Sequence, residues 1–263
     1  MCKYKKPLTV EEQIAHLKQH KKIMFGTINE IDAANILLQY SYINLITPFK
    51  HHFAKRSEND YDVLAKRNGK NVYEYHVEFS EYYNKYMEER SLYPIIYKNI
   101  ITFESHLKAI ISNTVLTHYS IDDYSALDTF ISQLKLNSSS YTNRQNHLLS
   151  TFNTILNDAK NTTNIFLFFD KMGLKDYSNI FHCLNDDLKK EVFGILKSFN
   201  ATLGTESVVP FQERLFTIVS IRNCIMHGNS LEVLKRFYSV DTKSLRTSGN
   251  RKQYIKLIKH LSQ

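Results

Sequence analysis

The chain has 263 residues, of which 43% are hydrophobic, so it is long enough to bury a core of ordinary size in one or two domains. Seven glycines and four prolines are few for this length, which argues against sandwiches and barrels, whose turns use both residues freely. The formal net charge of +8 favours polyanionic partners, because lysine and arginine gain affinity by releasing counterions from phosphates.

Membrane and secreted classes are not favoured either. The longest apolar run, IFLFF at 165–169, is far shorter than the ~20 residues that span a bilayer. The basic start of the chain lacks the apolar segment of a signal peptide. Three scattered cysteines, Cys2, Cys183 and Cys224, form no CxxC pair, which indicates a reducing compartment. We therefore expect a cytoplasmic protein that does not contact a membrane and needs no cofactor.

Two segments near the start show the pattern of a capping box, a threonine followed three residues later by a glutamate. The first box, Thr9 to Glu12, predicts a short helix. The second box, Thr27 to Glu30, predicts a longer helix that ends before Pro48. The apolar positions expected to face inward are Ile14 and Leu17 in the first helix, and Ile31, Ala34, Leu38 and Leu45 in the second.

The rest of the chain also reads as helices joined by polar segments. A basic connector occupies 49–70, a third helix is predicted over about 71–89, and Pro94 then precedes the clearest helix, 95–118. Later helices are predicted at 123–135, 144–159, 186–199, 210–227 and 251–261, with Ser/Asn-rich loops at 137–143 and 161–164. No run of strands, internal repeat or long linker is apparent, so we expect one all-α domain over 1–263.

The helix predicted at 210–227 ends in an unusual polar cluster, 221-IRNCIMHGN-229. Gly228 is the residue type expected just past a helix end, because it accepts a left-handed backbone. Asn223 and His227 are four residues apart and share a face. Arg222 and His227 are five apart, about 140° around an ideal helix, so they converge only if the last turn opens or the substrate lies between them.

These side chains suit RNA cleavage without a metal. That reaction needs a base for the 2′-hydroxyl proton, an acid for the leaving 5′-oxygen and a cation for the charge on phosphorus. Histidine can take either proton role, arginine matches phosphate oxygens, and asparagine can hold the imidazole or a phosphate oxygen. One histidine cannot easily fill both roles in one turnover, but two copies facing each other in a dimer would. The structural alternative is that Arg222 and His227 merely complement the helix dipole.

The motif and its flanks resemble known proteins. Arg222, Asn223 and His227 match the RNxxxH signature of HEPN-domain ribonucleases. The opening KKPLTVEEQIAHLKQHKKI at 5–23 is similar to that of the abortive-infection (Abi) proteins of the AbiD/AbiF-like group, which bacteria use against phage. The helix ITFESHLKAIIS at 101–112 resembles the central helix of that group, and NIFLFFDKMGLKDYSNIFHCL at 164–184 resembles its aromatic segment. The resemblance extends from residue 5 to about 230.

The resemblance implies a HEPN-type helical bundle with additional N-terminal helices, a HEPN core at about 92–230 and an N-terminal extension over 1–90. It further implies a bacterial homodimer that cleaves RNA without metal at a composite site. Arg222 and His227 carry over as catalytic residues, and Asn223 takes the polar position after the arginine. Glu104 is the candidate for an acidic residue from an earlier helix, the alternative being a solvated pair with Lys108. The aromatic segment lacks the tryptophan of relatives, and the tail after 230 matches nothing recognisable.

Two groups of basic residues, one in the connector and one near the other end of the chain, could follow an RNA backbone. The candidates are Lys50, His51, His52, Lys55, Arg56, Lys66, Arg67 and Lys70 in the connector, and Lys235, Arg236, Arg246, Arg251 and Lys252 near the end. Tyr61 and Tyr73 could stack on unpaired bases. For each residue, a solvated surface role is the alternative. The adjacent His51 and His52 have no nearby carboxylate or thiol in sequence, so a structural or phosphate-facing role is expected there and no metal site.

Three functions are therefore compatible with the sequence. The first is an antiphage or toxin-type endoribonuclease. The second is a non-catalytic RNA-binding or scaffold module that holds a structured non-coding RNA, and a protein antitoxin is a further conceivable partner. The third, a DNA-binding regulator, lacks a recognisable helix-turn-helix signature.

Overall fold

The computed structural model describes residues 7–55, 65–67, 70–73, 76–120, 124–137, 150–155, 157, 166–199, 207–234, 257–259 and 261. Its helices are α1 Val10–Lys21, α2 Glu30–Tyr40, α3 Tyr42–Leu45, α4 Lys50–Phe53, α5 Phe79–His118, α6 Tyr124–Asn137, α7 Phe166–Asp170, α8 Leu174–Cys183, α9 Asp186–Phe199 and α10 Val208–Met226. Residues 150–155, 231–234 and 257–259 are also helical. The all-α prediction is confirmed, while the HEPN type stays a prediction.

Four strands of two residues each supplement the helices. β1 Ile23–Met24 pairs in parallel with β4 Val77–Glu78, and β2 Lys66–Arg67 pairs antiparallel with β3 Lys70–Asn71. In the described part of the chain, none of the helices has the length and apolar character needed to cross a membrane.

The chain divides into two compact units. The first unit comprises Met1–Pro94 and Cys224–Ile255, and the second comprises Ile95–Asn223 and Lys256–Gln263. That the whole chain acts as one domain, as the sequence analysis expects, stays a prediction.

The N-terminal helices of the first unit confirm one capping box and correct the other. The backbone N–H of Glu12 donates to Thr9 Oγ1 at 3.2 Å, and the N–H of Thr9 donates to Glu12 Oε2 at 2.8 Å, so the predicted box is present. Helix α2, in contrast, begins after Asn29, whose side chain accepts the N–H of Asp32. The Thr27 N–H instead donates to Glu78 Oε2.

The predicted inward positions of the second helix are correct at Leu45, which is buried, and at Ala34, which packs against the core, but wrong at Ile31 and Leu38. Ala33 and Leu37 are buried, whereas the side chains predicted to face inward at 31 and 38 are 76% and 70% exposed. Ser41, with a φ of 64°, ends α2, and its hydroxyl accepts the Asn44 N–H at the start of α3. The predicted apolar stripe treats residues 31 to 45 as one helix. Because the chain turns at Ser41, Ile31 and Leu38 lie in α2 and Leu45 lies in α3, so the four positions do not form one helical face.

The core of the first unit combines α1 to α4 with the start of α5. Phe53 packs against Tyr82 with ring centroids 4.3 Å apart, and Phe25 stacks on Phe79 at 5.5 Å. The buried residues of this core are Ile14, Leu17, Ile23, Ala33, Leu37, Leu45, Ile46, Phe49, Val77, Phe79, Tyr82 and Tyr86. Tyr73 is also buried and its hydroxyl accepts from Lys21 Nζ at 3.1 Å, so the expectation that it is available to stack on bases is wrong.

Helix α5 replaces two predicted helices. It starts at Phe79 and continues through Pro94 to His118, whereas the described residues between 70 and 78 contribute two strands and no helix. Proline favours a helix start because it cannot donate to the carbonyl four residues earlier. Here its neighbours on both sides are core residues, including Tyr93 and Ile96. Their burial offsets the loss of one helical hydrogen bond.

In the second unit, the helices predicted at 123–135, 186–199 and 210–227 are present as α6, α9 and α10. The predicted helices 144–159 and 251–261 are helical where they are described. The loop predicted at 137–143 is wrong at Asn137, which ends α6, and the rest of that loop and the loop at 161–164 lie outside the described residues. Helices α7 and α8 were not predicted. The core of the second unit contains a cluster of aromatic rings around Phe211 of α10. The other rings belong to Phe103 of α5, Phe181 of α8 and Phe193 of α9.

Candidate active site

Helix α10 is fixed in the second unit by its first half. Phe211 is fully buried in the aromatic cluster, with ring centroids 5.2 Å from Phe181 and 5.1 Å from Phe193. One turn later, the ring of Phe216 stacks on His182 at 4.3 Å, and His182 Nε2 lies 3.1 Å from the carbonyl oxygen of Gln212. These contacts set the rotation and position of the helix that carries Arg222 and Asn223.

Arg222 contacts the predicted acidic residue. Its Nε lies 3.5 Å from Oε2 of Glu104, a residue of α5. The second carboxylate oxygen of Glu104 accepts the backbone N–H of Leu174, the first residue of α8, at 3.0 Å. Glu104 therefore connects three helices of the second unit through a single carboxylate.

The burial of Glu104 distinguishes between the two roles considered for it. Glu104 is 8% exposed, so it is not a solvated surface carboxylate. Lys108, the alternative partner, has its ammonium 5.7 Å from the centre of the Tyr177 ring instead. A buried carboxylate requires a compensating charge or hydrogen bonds, and Glu104 has both in Arg222 and Leu174. The Arg222 side chain is 31% exposed, so it can contact a ligand while its Nε faces the carboxylate.

The end of α10 belongs to the first unit and confirms the role predicted for Gly228. Gly228 has a φ of 65°, its N–H donates to the Ile225 carbonyl at 3.0 Å, and the Asn229 N–H donates to the Cys224 carbonyl at 2.9 Å. This pair of bonds is the Schellman motif that closes a helix C-terminus. His227 immediately precedes the glycine and is exposed. The imidazole is therefore accessible at a well-formed helix end.

A partly buried carboxylate that the sequence did not single out, Glu89, holds the segment after the motif. Glu89 accepts four hydrogen bonds, from the Tyr93 hydroxyl at 2.7 Å, the Ser230 hydroxyl at 3.0 Å, the Leu231 N–H at 3.0 Å and the Glu232 N–H at 3.1 Å. Burial raises the pKa of Glu89 above its ordinary value, although these hydrogen bonds oppose the shift. Glu89 thus fixes the first turn of the helix at 231–234.

The next residue, Arg90, places a cation beside the motif glycine. Its guanidinium lies 5.1 Å from the ring centre of Tyr86 and 5.0 Å from that of Tyr93, and its Nε donates to the Tyr86 hydroxyl at 2.8 Å. A Cβ at Gly228 would stand 3.5 Å from Arg90 Nη2. Glu89 and Arg90 are adjacent in a charged run, EER at 88–90, that has no local feature to distinguish it from a solvated surface.

Burial also controls the thiol within the motif. The Cys224 Sγ lies 3.3 Å from the carbonyl oxygens of Asn229 and Ser230. Burial, together with the nearby Glu89, raises the pKa of the Cys224 thiol to about 12. The thiol is therefore protonated at neutral pH and donates to these carbonyls, which makes it a structural part of the turn and excludes it as a nucleophile.

The three motif residues are divided between the units. Arg222 and Asn223, both half-buried, end the second unit, whereas His227 lies in the first. Their convergence on one phosphate therefore stays a prediction. Chemically, an exposed imidazole can transfer a proton, and a partly exposed guanidinium can bind a phosphate oxygen.

Some of the predicted RNA-binding residues have other neighbours. His51 and His52 of α4 both approach the carboxylate of Glu232, which is distant in sequence, so the expectation that the pair lacks such a neighbour is wrong. Lys50 and Lys55 are half-buried. Lys66, Arg67 and Lys70 lie in the β2–β3 ladder. The remaining candidates, Arg56, Lys235, Arg236, Arg246, Arg251 and Lys252, and also Tyr61, lie outside the described residues.

The helical fold places the chain in the all-α class of proteins. Comparison with protein families gives the finer assignment. The family described as Abi-like protein matches residues 35–231, so the chain belongs to this family. The match includes Glu104 and the whole motif but not the N-terminal KPLT segment. No match was found among curated proteins or among solved structures.

Proposed function

We propose that the protein is a metal-independent endoribonuclease of an abortive-infection or toxin-type defence system. The observation that carries the proposal is the contact between Arg222 and the buried Glu104, within a motif that ends in the exposed His227. A surface arginine that served only the helix dipole would not require a buried acidic partner. Membership of the Abi-like family is consistent with a defence role.

The proposed chemistry assigns a role to each motif residue. Arg222 binds a non-bridging oxygen of the scissile phosphate and stabilises the negative charge that develops there. Glu104 is a positioning residue that restrains the guanidinium. His227 transfers the proton, and Asn223 orients the imidazole or a phosphate oxygen. The 2′-hydroxyl attacks phosphorus and the 5′-oxygen leaves, so the products carry a 2′,3′-cyclic phosphate and a 5′-hydroxyl.

The proposed active form is a homodimer, because base and acid are both needed in one turnover. A second copy of the motif would supply the second histidine. Diluting the protein below its dimer dissociation constant should therefore lower the activity per chain, as measured by cleavage assays alongside light scattering. Activity per chain that stays constant when the protein is demonstrably monomeric would contradict the composite site.

The central test uses purified wild-type protein with total RNA and with tRNA. His227→Ala and Arg222→Ala are each expected to slow cleavage by at least about 100-fold, the usual range for losing a proton-transfer group or a phosphate-binding cation. His106→Ala is a matched control, since His106 is an exposed histidine on α5. Mapping of product ends should show the cyclic phosphate, and cleavage should continue in EDTA.

Wild-type cleavage rates in a folded His227→Ala protein would contradict the proposal. RNA that co-purifies with the wild-type protein and stays intact would instead support the alternative, a non-catalytic module that holds a structured RNA. The charge of +8 is the observation that favours this alternative. Extraction and sequencing of any bound RNA separates the two functions.

A further inference from the structure

The first unit contains a cluster of metal-ligand side chains separate from the motif residues. Nε2 of His51 lies 3.3 Å from Oε2 of Glu232, and Nε2 of His52 lies 3.5 Å from the same oxygen. The three ligand atoms all lie within 4.8 Å of one another. The side chains of His51, His52 and Glu232 are 15%, 30% and 16% exposed, which shelters the cluster but leaves it open to a small ion.

Independent contacts hold the histidine side of this cluster. Helix α4 is only four residues long, but it is flanked by Phe49, which is 2% exposed, and it includes Phe53, whose ring packs 4.3 Å from that of Tyr82 in the core. The rings of His51 and His52 lie next to each other, with centroids 4.3 Å apart. The core therefore presents both imidazoles in the same direction.

Hydrogen bonds hold the backbone of Glu232, the carboxylate ligand of the cluster. The backbone N–H of Glu232 donates to Glu89 Oε2 and to the Ser230 hydroxyl, each at 3.1 Å. Because Glu89 and Ser230 are also bonded to each other, the backbone at 232 is fixed before any ion arrives. The histidine pair and Glu232, which are far apart in sequence, are thus each held in place, and their three ligand atoms lie close together.

The two nitrogen–oxygen distances match a zinc coordination polyhedron better than a charge-assisted hydrogen bond. Zinc binds imidazole nitrogen and carboxylate oxygen at about 2.0–2.2 Å in a tetrahedron, so two ligand atoms are separated by roughly 3.3–3.5 Å. Hydrogen bonds between a charged N–H and a carboxylate are shorter, about 2.7–2.9 Å. The observed 3.3 and 3.5 Å separations fall in the first range. Two imidazoles also favour zinc over magnesium or calcium, which prefer oxygen ligands.

We propose that His51, His52 and Glu232 bind one Zn²⁺, with a fourth position left to water. Bound zinc connects α4 to a residue five positions after His227 and restrains the segment that follows the motif. Its role is structural, so it adds no step to the proposed cleavage chemistry. Both proposals can hold, and each can fail without the other.

The test is isothermal titration of the metal-free, full-length protein with ZnCl₂. Wild type is expected to bind one zinc per chain. His52→Ala and Glu232→Gln are each expected to weaken binding by more than about 100-fold, since even residues that only support metal ligands contribute about 10- to 100-fold. Glu232→Gln preserves the shape of the side chain and the backbone bonds at 232, so it should remain folded, which circular dichroism verifies.

Two histidine controls separate this site from ordinary surface binding. His16 and His20 lie on one face of α1 with ring centroids 4.9 Å apart, so His20→Ala removes the other close histidine pair of the described residues. His106→Ala removes a solitary exposed histidine. Both controls should bind zinc as wild type does. Cobalt bound in place of zinc should give the intense visible absorption of a tetrahedral site, and this absorption should be lost in Glu232→Gln.

A repeat of the titration in His227→Ala makes the test independent of the proposed nuclease activity. Zinc binding should be unchanged there, because His227 is not a ligand. The zinc proposal is overturned if wild type binds no zinc, or if folded His52→Ala and Glu232→Gln proteins retain wild-type affinity. A loss of binding in His20→Ala alone would place the metal on α1 and also overturn it.

Discussion

Two sheltered glutamates of the same helix, the partly buried Glu89 in the first unit and the buried Glu104 in the second, have their carboxylates compensated in different ways. Glu89 is surrounded by neutral donors and accepts four hydrogen bonds, two of them from backbone N–H groups. Glu104 accepts one backbone N–H and has a cation, Arg222, at 3.5 Å. Both carboxylates are therefore compensated, Glu89 by hydrogen bonds alone and Glu104 by one hydrogen bond and a charge, but only Glu104 contacts a residue of the candidate site.

The difference indicates which carboxylate serves structure and which serves the site. Hydrogen bonds from neutral donors define the shape of a turn, and the Glu89 bonds fix residues 230–232. A cation partner, in contrast, holds a mobile charged side chain in one place. We therefore expect substitution of Glu89 to affect mainly stability, and substitution of Glu104 to affect mainly cleavage.

The largest effect on stability is expected for Glu89→Ala. The substitution removes the acceptor for two backbone N–H groups and two hydroxyls, and unsatisfied buried donors cost about 1–3 kcal/mol each. Since water and the Ser230 hydroxyl can replace some of these bonds, we expect the free energy of unfolding to fall by about 2–4 kcal/mol. Urea denaturation measures the change, with the exposed neighbour substitution Glu88→Ala as the control. If Glu89→Ala lowers the free energy of unfolding no more than Glu88→Ala does, the structural role of Glu89 is contradicted.

A smaller effect on stability and a larger one on cleavage are expected for Glu104→Gln. The amide oxygen can still accept the Leu174 N–H, but the charge that restrains Arg222 is lost. We expect a coupling of about 1 kcal/mol between Glu104→Gln and Arg222→Met in a double-mutant cycle of unfolding free energies, because the arginine is partly solvated. Cleavage should fall by up to about 100-fold, the effect of misplacing a group that stabilises the transition state.

The control cycle pairs Glu104→Gln with Lys190→Met, an exposed lysine of α9 whose ammonium lies 3.4 Å from Asp187, and no coupling is expected there. Equal coupling in both cycles would show that Glu104 acts on the unit as a whole and would contradict the contrast with Glu89. Full cleavage activity in Glu104→Gln would leave Glu104 with a purely structural role.

The smallest effect is the pH dependence that Glu89 contributes. Its pKa in the folded state is raised above the ordinary 4.5 by burial, so the folded protein binds more protons than the unfolded chain between these two values. The contribution of Glu89 to stability is therefore fully present below about pH 4.5 and is lost as the pH rises through the folded-state pKa. The stability advantage of wild type over Glu89→Gln should accordingly increase as the pH is lowered toward 4.5. An advantage that decreases on acidification would contradict this sign.

The sequence was most informative where a local rule determines the structure. The capping box at Thr9 and the helix end at Gly228 were both predicted, because each depends on residues within one turn. The same rules failed at Thr27, where Asn29 offered an equally good cap two residues later. They also failed at Pro94, since a proline signal says nothing about the burial of its neighbours.

The site shows the same division. Arg222, Asn223, His227 and Glu104 were identified as candidates from spacing and resemblance. The alternatives for Glu104 were an acidic site residue or a solvated pair with Lys108, and its contact with Arg222 was not predicted. Arg90 was missed because its approach to Gly228 depends on tertiary packing. Glu89 was missed because three of its four hydrogen-bond donors, at 230–232, lie more than a hundred residues further along the chain. His51 and His52 were assigned no carboxylate neighbour for the same reason.

The sequence by itself therefore determined the all-α class, most helix positions and the motif at the end of α10. These depend on the apolar period of each helix and on residues that are close in the chain. Only the tertiary structure decided which charges meet: Glu104 with Arg222, Glu89 with the turn at 230–232, and the histidine pair with Glu232. Such pairs depend on how separate helices pack within each unit, and no local pattern records that packing.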